Sequence, residues 1–270
     1  MHNAPQKEEM HMCAVYTPPR SLIIGGTHGL GRAYALEVLS QMGEAPIIVG
    51  RSANEVRNDP ELRGCDFVTA DIADPATHQR ILDTAFAGEH PPRQVVWCAG
   101  IYHRGPLAEM SSEKIDYMTR VHWTGPVQFL RAFHGRMLAH PNKTPYDLIV
   151  IGSVFAHVPG RQHSVLAGLK SAKVQFARVF SQELSRDLPG STVLIVNPWG
   201  MKTDFFAGTN TKTDGFMDPR DVARDIEQRI ATLPREASRA GKGVWPFEVT
   251  FDREKDGSTK ILLGPQPPKL

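Results

Sequence analysis

The feature of this sequence that most restricts its fold is an alternation of short apolar runs with longer segments of helical periodicity. The apolar runs are rich in Val and Ile, are bounded by Gly, Pro or Asp, and read SLIIGG, APIIVG, DFVTAD, RQVVWCAG, YDLIVIGS and TVLIVNP. Helical segments are predicted at about 30–42, 75–87, 112–139, 164–186 and 218–232, the last opened by Asp218-Pro219. Strands that alternate with helices form a parallel sheet covered on both faces. The sequence therefore predicts an α/β protein with a doubly wound, Rossmann-type parallel sheet.

The domain organisation follows from the extent of this pattern. A chain of 270 residues is within the size of one α/β domain, and we expect a single domain over residues 21–270. Residues 1–20 contain acids and prolines without an apolar segment, and they are predicted to be a flexible leader. Near the C-terminus, VTFDR and KILLG flank an Asp-Gly turn. We expect these two strands to close the sheet or cover one of its edges.

Charge and cysteine usage exclude several classes of protein. The net charge is only +2 and the Lys and Arg residues are scattered among acids, so no nucleic-acid partner is expected. No run of about 18 apolar residues is present, which predicts no membrane partner. Cys13, Cys65 and Cys98 have neither CxxC nor metal-ligand spacing. We therefore expect reduced thiols, a cytoplasmic protein and no metal site.

A glycine-rich turn follows the first predicted strand. Gly25, Gly29 and Gly31 form a GxxxGxG pattern that opens onto the first predicted helix, with His28 and Leu30 inside the turn. Glycines at this spacing allow a tight turn and bring backbone N–H groups close to a pyrophosphate, while the helix N-terminus adds partial positive charge. The turn therefore predicts a dinucleotide-binding site.

The end of the second predicted strand indicates which dinucleotide is bound. Sites for NAD(H) place a carboxylate there for the ribose 2′-hydroxyl, whereas this chain has Gly50-Arg51-Ser52. The Arg51 guanidinium suits a 2′-phosphate, and His28 and Arg32 would add hydrogen-bond donors. We therefore predict NADP(H) as the cofactor, with Arg51 and Ser52 in its site. The alternative interpretation is that Arg51 is a solvated surface residue.

Together these segments resemble the short-chain dehydrogenase/reductase family from about Ser21 to Ile230. The resemblance implies an oxidoreductase that acts on a carbonyl or alcohol group. It also implies roles beyond the glycine turn, for residues that match the family's motifs. Asp71-Ile72 would contact adenine, Cys98-Ala99-Gly100 stands for the family's Asn-Ala-Gly, Ser153 for its catalytic serine, Lys170 for the lysine that binds the nicotinamide ribose, and Pro198 and Thr203 complete the cofactor site.

The chain departs from the family pattern at the catalytic tyrosine. The segment KSAKVQFARVFSQEL aligns on Lys170, which places Leu166 at the tyrosine position of the family's YxxxK motif. Leu166 and Lys170 are four residues apart and share one helix face, so Lys170 still reaches the ribose. The family's helix-four asparagine falls at His122. In these respects the chain is similar to the few tyrosine-lacking members, such as the simocyclinone ketoreductase.

Without that phenol, the proton that completes a carbonyl reduction needs another source. Ser153 would position the carbonyl oxygen and relay a proton from water, and an acidic group of the substrate itself is a second source. Direct donation is the third, from His122, His157, His163 or Tyr102. We predict Ser153, Lys170 and His122 as the catalytic residues.

Apolar residues near these positions indicate the kind of small-molecule substrate. The predicted pocket would suit an aromatic or polycyclic compound, and it is formed by Tyr102, Phe155, Leu166, Trp199, Phe205 and Phe206. The alternative is that these side chains belong to the core. Residues 201–218 are polar and carry two adjacent Phe, which favours a substrate flap; an ordinary surface loop is the alternative.

Three functions remain open at this stage. The first is an NADPH-dependent ketoreductase that acts on a bulky aromatic or polycyclic ketone in specialised, antibiotic metabolism. The second is a non-redox or bifunctional cyclase or cycloaddition catalyst on the same scaffold, and the third is a catalytically silent NADP-binding regulator. The retained Lys170 and Ser153 favour the first. The family resemblance further implies a homodimer or homotetramer, formed by the long helices near 112–139 and 164–186.

Overall fold

The computed structural model of the chain describes residues 20–43, 45–239, 246–253 and 258–264. Apart from Arg20, the predicted leader lies outside these residues, and so does the predicted Asp256-Gly257 turn. Within the described ranges, no helix combines the length and the apolar character that crossing a bilayer requires.

The described strands form one eight-stranded sheet. They are β1 (Ser21–Ile24), β2 (Ile47–Gly50), β3 (Asp66–Thr69), β4 (Gln94–Trp97), β5 (Asp147–Ile151), β6 (Thr192–Pro198), β7 (Phe247–Arg253) and β8 (Thr259–Gly264). Their order is β3-β2-β1-β4-β5-β6-β7-β8, and all neighbouring pairs are parallel except β7 with β8. The predicted doubly wound sheet is confirmed, and the six apolar runs supply β1 to β6.

Helices cover both faces of this sheet. They are α1 (Gly29–Met42), α2 (Ala53–Val56), α3 (His78–Ala85), α4 (Ser112–Thr119), α5 (Gly125–Ala139), α6 (Ser164–Asp187), α7 (Pro219–Thr232) and α8 (Glu236–Arg239). The start of α7 matches its Asp-Pro signal, because the Asp218 side chain accepts a hydrogen bond from the Arg220 backbone N–H and Pro219 occupies the first turn.

One π-helical turn, Arg120–Thr124, joins α4 to α5. The predicted helix at about 112–139 is therefore continuous but locally widened, as helices often are at functional sites. Gly125 follows this turn, and a Cβ atom there would lie 2.1 Å from the carbonyl oxygen of Ile72. The helix approaches the loop after β3 so closely that only glycine fits.

The central strands are buried on both faces, which explains why their sequences lack polar alternation. Leu22 and Ile24 of β1 pack into a cluster with α3, α5 and α6, whereas Ile23 between them packs with α1 and α7. Successive side chains of a strand point to opposite faces, so a sheet covered on both sides needs apolar residues at every position. Each such Leu or Ile contributes about 1.5–3 kcal/mol of burial.

A crevice opens where the strand order reverses between β1 and β4. β1 is hydrogen-bonded to β2 on one side and to β4 on the other. The helix that follows β1 packs on one face of the sheet, whereas α5, which follows β4, packs on the opposite face. The loops after these two strands diverge, and ligands of doubly wound sheets bind in the opening between them.

The C-terminal strands complete one edge of the sheet. β7 pairs in parallel with β6, and β8 pairs with β7 in antiparallel register, with Leu263 opposite Val249. The prediction that the tail covers an edge is confirmed. Leu263 is 72% exposed, since β8 is the last strand of the sheet.

Candidate active site

One cavity of about 490 Å³ lies at the carboxyl ends of β1, β4, β5 and β6. It extends from the glycine turn to the segment after β6, and the predicted cofactor and substrate residues line it together. They are Gly25, His28, Gly29, Leu30, Gly31, Arg51, Ser52, Asp71, Ile72, Cys98, Ala99, Gly100, Tyr102, Ser153, Phe155, Leu166, Lys170, Pro198, Trp199, Thr203, Phe205 and Phe206. His122 does not line it. Among the described residues, no group of three or more His, Cys, Asp or Glu side chains is arranged to hold a metal ion.

The glycine turn forms the wall at one end of the cavity. Gly25 and Gly29 have φ angles of +87° and +56°, which side chains other than hydrogen rarely tolerate. A Cβ atom on Gly31 would lie 2.1 Å from the Gly25 carbonyl oxygen, and one on Gly25 would lie 2.6 Å from the Ala99 nitrogen. His28 is the N-cap of α1 but makes no side-chain capping bond. The first N–H groups of α1 are therefore accessible to an anion, and the turn fits the pyrophosphate of a dinucleotide.

Arg51 lies at the same end, in a short chain of hydrogen bonds. Its Nη1 donates to the Tyr117 hydroxyl at 2.7 Å, and that hydroxyl donates to Asp71 Oδ2 at 3.0 Å. Burial and the bond to Asp71 raise the pKa of Tyr117, so the phenol keeps its proton. Sequence reasoning missed Tyr117, because its one signal is a single aromatic residue in an otherwise polar helix. These two hydrogen bonds hold the Arg51 guanidinium at the cavity wall.

Arg32 does not take the part predicted for it. Its Nη2 lies 2.5 Å from Asp59 Oδ2 and 2.6 Å from Glu61 Oε2, and the side chain is not part of the cavity wall. Two carboxylates thus neutralise this guanidinium away from the cavity. The expectation that Arg32 adds a donor for a phosphate was wrong. Its partners, Asp59 and Glu61, belong to a segment that the glycine motif does not reveal.

Ser153 and Lys170 meet at the other end of the cavity. Ser153 Oγ accepts a hydrogen bond from the Phe155 N–H at 3.2 Å, which leaves the hydroxyl proton free for another acceptor. Lys170 Nζ donates to the carbonyl oxygens of Ile151 at 3.2 Å and Gly152 at 2.9 Å. An ammonium has three donors, so one remains for the cavity. Burial lowers the pKa of Lys170 to about 8.

A second lysine, Lys173, lies one turn further along α6 and was not singled out from the sequence. It is fully buried, with Nζ 3.4 Å from the Ile151 carbonyl oxygen and 4.2 Å from the centre of the Trp97 ring. Burial, and then the charge of Lys170, lower the pKa of Lys173 well below its usual value. Burial raises the pKa of the neighbouring Cys98 thiol to about 12, so this thiol is a neutral part of the wall.

His122 lies behind the cavity wall, inside the π-helical turn. It is fully buried, and its Nε2 lies 3.1 Å from the nitrogen and 2.8 Å from the oxygen of Ile101. A Cβ atom on Gly100 would lie 2.9 Å from His122 Cε1, so the imidazole packs directly under the loop after β4. Burial, followed by the charges of Lys170 and Lys173, lowers the pKa of His122 well below its usual value. A side chain in this position does not reach a substrate directly. His122 instead stabilises the loop after β4.

Two further histidines were candidate donors, and neither forms part of the cavity wall. His157 Nε2 lies 2.9 Å from Glu248 Oε1 and 3.1 Å from Asn197 Nδ2, so it belongs to a polar group beside β7. His163 Nδ1 lies 2.8 Å from the Arg161 carbonyl oxygen, and its Nε2 lies 2.9 Å from the Tyr102 hydroxyl. Of the two, only His163 contacts a residue of the wall.

Aromatic side chains form the rest of the cavity around Tyr102. Its ring centre lies 5.6 Å from that of Phe205 and 4.8 Å from that of Phe206. Phe206 in turn lies 5.2 Å from Phe216, which also contacts Trp199 at 5.1 Å. These rings are half-buried, and all of them except that of Phe216 line the cavity rather than belonging wholly to the core. Sequence reasoning missed Phe216, which lies in the predicted flap but outside its paired Phe.

Two backbone hydrogen bonds join the two ends of the segment between β6 and α7. The Lys202 N–H donates to the Met217 oxygen at 2.9 Å, and the Met217 N–H donates to the Gly200 oxygen at 3.0 Å. The residues between these anchors include Phe205 and Phe206, which lie over the cavity. The predicted flap at 201–218 therefore coincides with a loop closed at its neck.

Comparisons with known proteins agree with this architecture. A 3-ketoacyl-(acyl-carrier-protein) reductase from Brucella melitensis complexed with NADH is 20% identical, with a TM-score of 0.71 over 82% of this chain and 92% of that one. An alcohol dehydrogenase from the archaeon Thermococcus sibiricus complexed with 5-hydroxy-NADP is 19% identical, with a TM-score of 0.69 over 86% and 95%. A short-chain dehydrogenase from Sphingobium yanoikuyae in complex with NADPH is 19% identical, with a TM-score of 0.68 over 79% and 85%.

These likenesses concern the fold, since the identities are low. The family is established by the sequence itself, because the model of the short chain dehydrogenase family matches residues 20–214. That range contains the glycine turn, Ser153 and Lys170. The chain belongs to the short-chain dehydrogenase family, whose members are oxidoreductases of carbonyl and hydroxyl groups.

Proposed function

We propose that this chain is an NADPH-dependent ketoreductase that acts on a bulky, apolar ketone of aromatic or polycyclic type. The observation that carries the proposal is the single cavity that joins the glycine turn to Ser153, Lys170 and the aromatic side chains. One end suits a dinucleotide, and the other suits an apolar substrate beside hydrogen-bond donors. The similarity to tyrosine-lacking reductases further supports a role in specialised, antibiotic metabolism.

NADP(H) is the proposed cofactor because of charge at the end of β2. Arg51 and Ser52 line the cavity there, and no carboxylate replaces them for a ribose 2′-hydroxyl. The bond from Tyr117 holds Arg51 at the wall, where a planar guanidinium suits a phosphate. The structures similar in fold include complexes with NADPH, NADH and 5-hydroxy-NADP, which supports nicotinamide binding of either kind.

The proposed chemistry assigns a part to each polar residue at the substrate end. When bound, the reduced nicotinamide supplies a hydride. Lys170 binds the ribose with its third N–H, the other two being held by the carbonyls after β5. Ser153 donates a hydrogen bond from its hydroxyl to the substrate carbonyl oxygen and so polarises it. Leu166 takes no part in proton transfer and adds apolar surface beside the carbonyl.

The test is anaerobic mixing of the chain with NADPH and a panel of polycyclic ketones, followed by the absorbance of the reduced nicotinamide. We expect NADPH oxidation matched by the formation of alcohol. Turnover of a substrate without NADPH oxidation would instead indicate a cyclase or cycloaddition catalyst. Tight NADPH binding without any turnover would indicate a silent regulator. In both of these cases the ketoreductase proposal fails.

A further inference from the structure

We propose that the phenol of Tyr102 is the proton donor of this reductase, and that the imidazole of His163 returns a proton to it. The inference rests on the proposed ketone reduction and names the acid that Leu166 does not supply. Tyr102 lies in the loop after β4, and His163 is the N-cap of α6. The two residues are 61 positions apart in the chain and meet only in the folded protein.

The direction of the hydrogen bond between them follows from the partner on the other side of the imidazole. His163 Nδ1 lies 2.8 Å from the Arg161 carbonyl oxygen, which only accepts hydrogen bonds. Nδ1 therefore carries a proton, and in the neutral ring Nε2 is an acceptor. Since the Tyr102 hydroxyl lies 2.9 Å from Nε2, the phenol donates to the imidazole.

The phenol and the residue at the family's tyrosine position line the same cavity. Leu166 follows His163 by three residues at the start of α6, and residues three apart on a helix are about 5–6 Å apart at Cβ. Tyr102 and Leu166 line the same cavity, as does Ser153. A hydroxyl group bonded to the N-cap residue of α6 therefore replaces one that would project from Leu166 in the first turn of the same helix.

Apolar rings surround the pair. Phe155 packs on the His163 ring with centres 4.5 Å apart and planes tilted by 32°, and Phe205 and Phe206 pack on the Tyr102 ring. Burial lowers the pKa of His163. The hydrogen bond to the Arg161 backbone raises it and the nearby charge of Arg104 lowers it, so that the net shift is downward. At neutral pH the imidazole is therefore an uncharged acceptor, and it keeps the phenol oriented until a substrate oxygen competes for its proton.

The other proton-bearing groups of the wall are less suited to this part. Lys170 already donates to two backbone carbonyls, and the Cys98 thiol is buried beside the sheet. Tyr117 lies at the opposite end of the cavity, bonded to Arg51 and Asp71. Of the described residues, Tyr102 is the one whose phenol lies on the wall at the substrate end.

The proposed steps balance in protons and electrons. The carbonyl carbon accepts the hydride, the π electrons of the C=O bond move to oxygen, and the Tyr102 O–H bond breaks as its proton moves to that oxygen. An alcohol and a phenolate result. A hydronium ion of the bulk solvent then gives a proton to His163 Nε2 and becomes water. The Nε2–H bond breaks as this proton moves to the phenolate, and the Tyr102 O–H bond forms again. The Nδ1 proton stays on His163 throughout, hydrogen-bonded to the Arg161 carbonyl oxygen.

Tyr102→Phe tests the proposal in the full-length chain, because it removes the hydroxyl and keeps the ring that packs on Phe205 and Phe206. We expect kcat for ketone reduction to fall by about 10²–10⁴-fold, with the NADPH Kd and the ketone KM unchanged. The double variant Tyr102→Phe/Leu166→Tyr restores a phenol next to Lys170 and is expected to recover activity. His163→Gln should lower kcat by a smaller factor and enlarge the solvent deuterium isotope effect, because return of the proton becomes slow.

A control and a measurement without cofactor separate catalysis from folding. His157→Gln changes a histidine of the neighbouring loop that is not on the cavity wall, and its kcat should match that of the unmodified chain. In the cofactor-free protein, ¹⁵N NMR of His163 should show protonated Nδ1 and acceptor Nε2, and Tyr102→Phe should shift the Nε2 resonance.

The outcomes distinguish the two proposals. If the unmodified chain does not oxidise NADPH with any ketone of the panel, the proposed function fails, and this inference fails with it. If the unmodified chain turns over but Tyr102→Phe keeps its kcat within about threefold, only the assignment of the proton donor is overturned. A parallel loss of NADPH affinity in Tyr102→Phe would also overturn it, because the residue would then support the site rather than donate a proton.

Discussion

The two ends of the cavity are built in different ways. At the glycine end, the turn between Gly25 and Gly31 forms one part of the wall, and its backbone sets the shape there. At the substrate end, Tyr102, Ser153 and Lys170 come from separate segments, joined with the loop that carries Phe205. The glycine end depends on which residues fit a local conformation. The substrate end depends on side chains that meet across the sheet. The glycine turn therefore tolerates no added side-chain atom, whereas the substrate end offers several positions for a functional group.

The strongest test of the glycine end is Gly31→Ala. The added Cβ would lie 2.1 Å from the Gly25 carbonyl oxygen, so the turn must move. Its backbone N–H groups would then no longer point at the pyrophosphate. We expect the NADPH Kd to rise by about 100-fold or more, which is about 2.7 kcal/mol, and the free energy of unfolding to fall by about 1–3 kcal/mol.

The matched control for this substitution is Gly135→Ala on α5. No atom would come within 4 Å of a Cβ there. Alanine should stabilise the helix by about 0.5–1 kcal/mol and leave NADPH binding unchanged. Calorimetric titration with NADPH and urea unfolding measure both effects. Unchanged NADPH affinity in Gly31→Ala would show that the turn is not the pyrophosphate site.

Arg51→Ala sharpens the comparison within the glycine end. If Arg51 binds the 2′-phosphate, its loss removes charge-assisted hydrogen bonds worth about 1.5–3 kcal/mol, so the NADPH Kd should rise at least tenfold. The NADH Kd should change little. Arg32→Ala is the control, because Asp59 and Glu61 hold that guanidinium away from the cavity. Equal weakening of both nucleotides by Arg51→Ala would contradict the preference for NADP(H).

A smaller effect concerns the stability of the substrate end. A buried lysine with a lowered pKa binds fewer protons when folded than when unfolded, so stability is lowest at low pH and rises as pH increases through the lowered pKa. Lys170, with a pKa of about 8, gives such a rise between about pH 8 and 10.5. The pKa of Lys173 is also lowered, which adds to the same trend. Burial raises the pKa of the Cys65 and Cys98 thiols, which opposes the trend above about pH 9.

Lys173→Met isolates the contribution of that lysine, because the other groups are the same in both proteins. We expect the variant to be more stable by about 1 kcal/mol at neutral pH, since burying a lysine head group costs free energy whether it stays charged or loses its proton, and methionine is an apolar chain of similar length. The rise in stability with pH should be smaller in the variant. Urea unfolding of both proteins at several pH values checks this, and a parallel pH dependence would show that Lys173 stays charged in the folded chain.

Much of the fold was open to prediction. The six apolar runs and the Asp218-Pro219 start became β1 to β6 and α7, because a strand buried on both faces and a capped helix each leave a local pattern. The glycine turn was equally legible. Lys173 was not, because a lysine in an amphipathic helix normally faces water. Its burial follows from the Ile151 carbonyl and the Trp97 ring, which lie on other elements.

The substrate end was predictable only as a set of residues. The sequence favoured His122 over His157, His163 and Tyr102 as the direct donor, and their separation into wall and support required the structure. His122 is turned under the loop by the π-helical turn, whereas His163 meets Tyr102 at the start of α6. Arg32 shows the same limit, since two acids from a later segment hold it.

By itself, the sequence determined the doubly wound sheet, the position of the glycine turn and the absence of a phenol at residue 166. These features depend on neighbours within one element, where the backbone conformation and the helical or strand period leave a direct record. Only the tertiary structure decided which histidine contacts the Tyr102 phenol, where Arg32 and Lys173 point, and which phenol lines the same cavity as Leu166. Contacts between distant segments are set by the packing of whole helices on the sheet, and that geometry is not encoded at any single position.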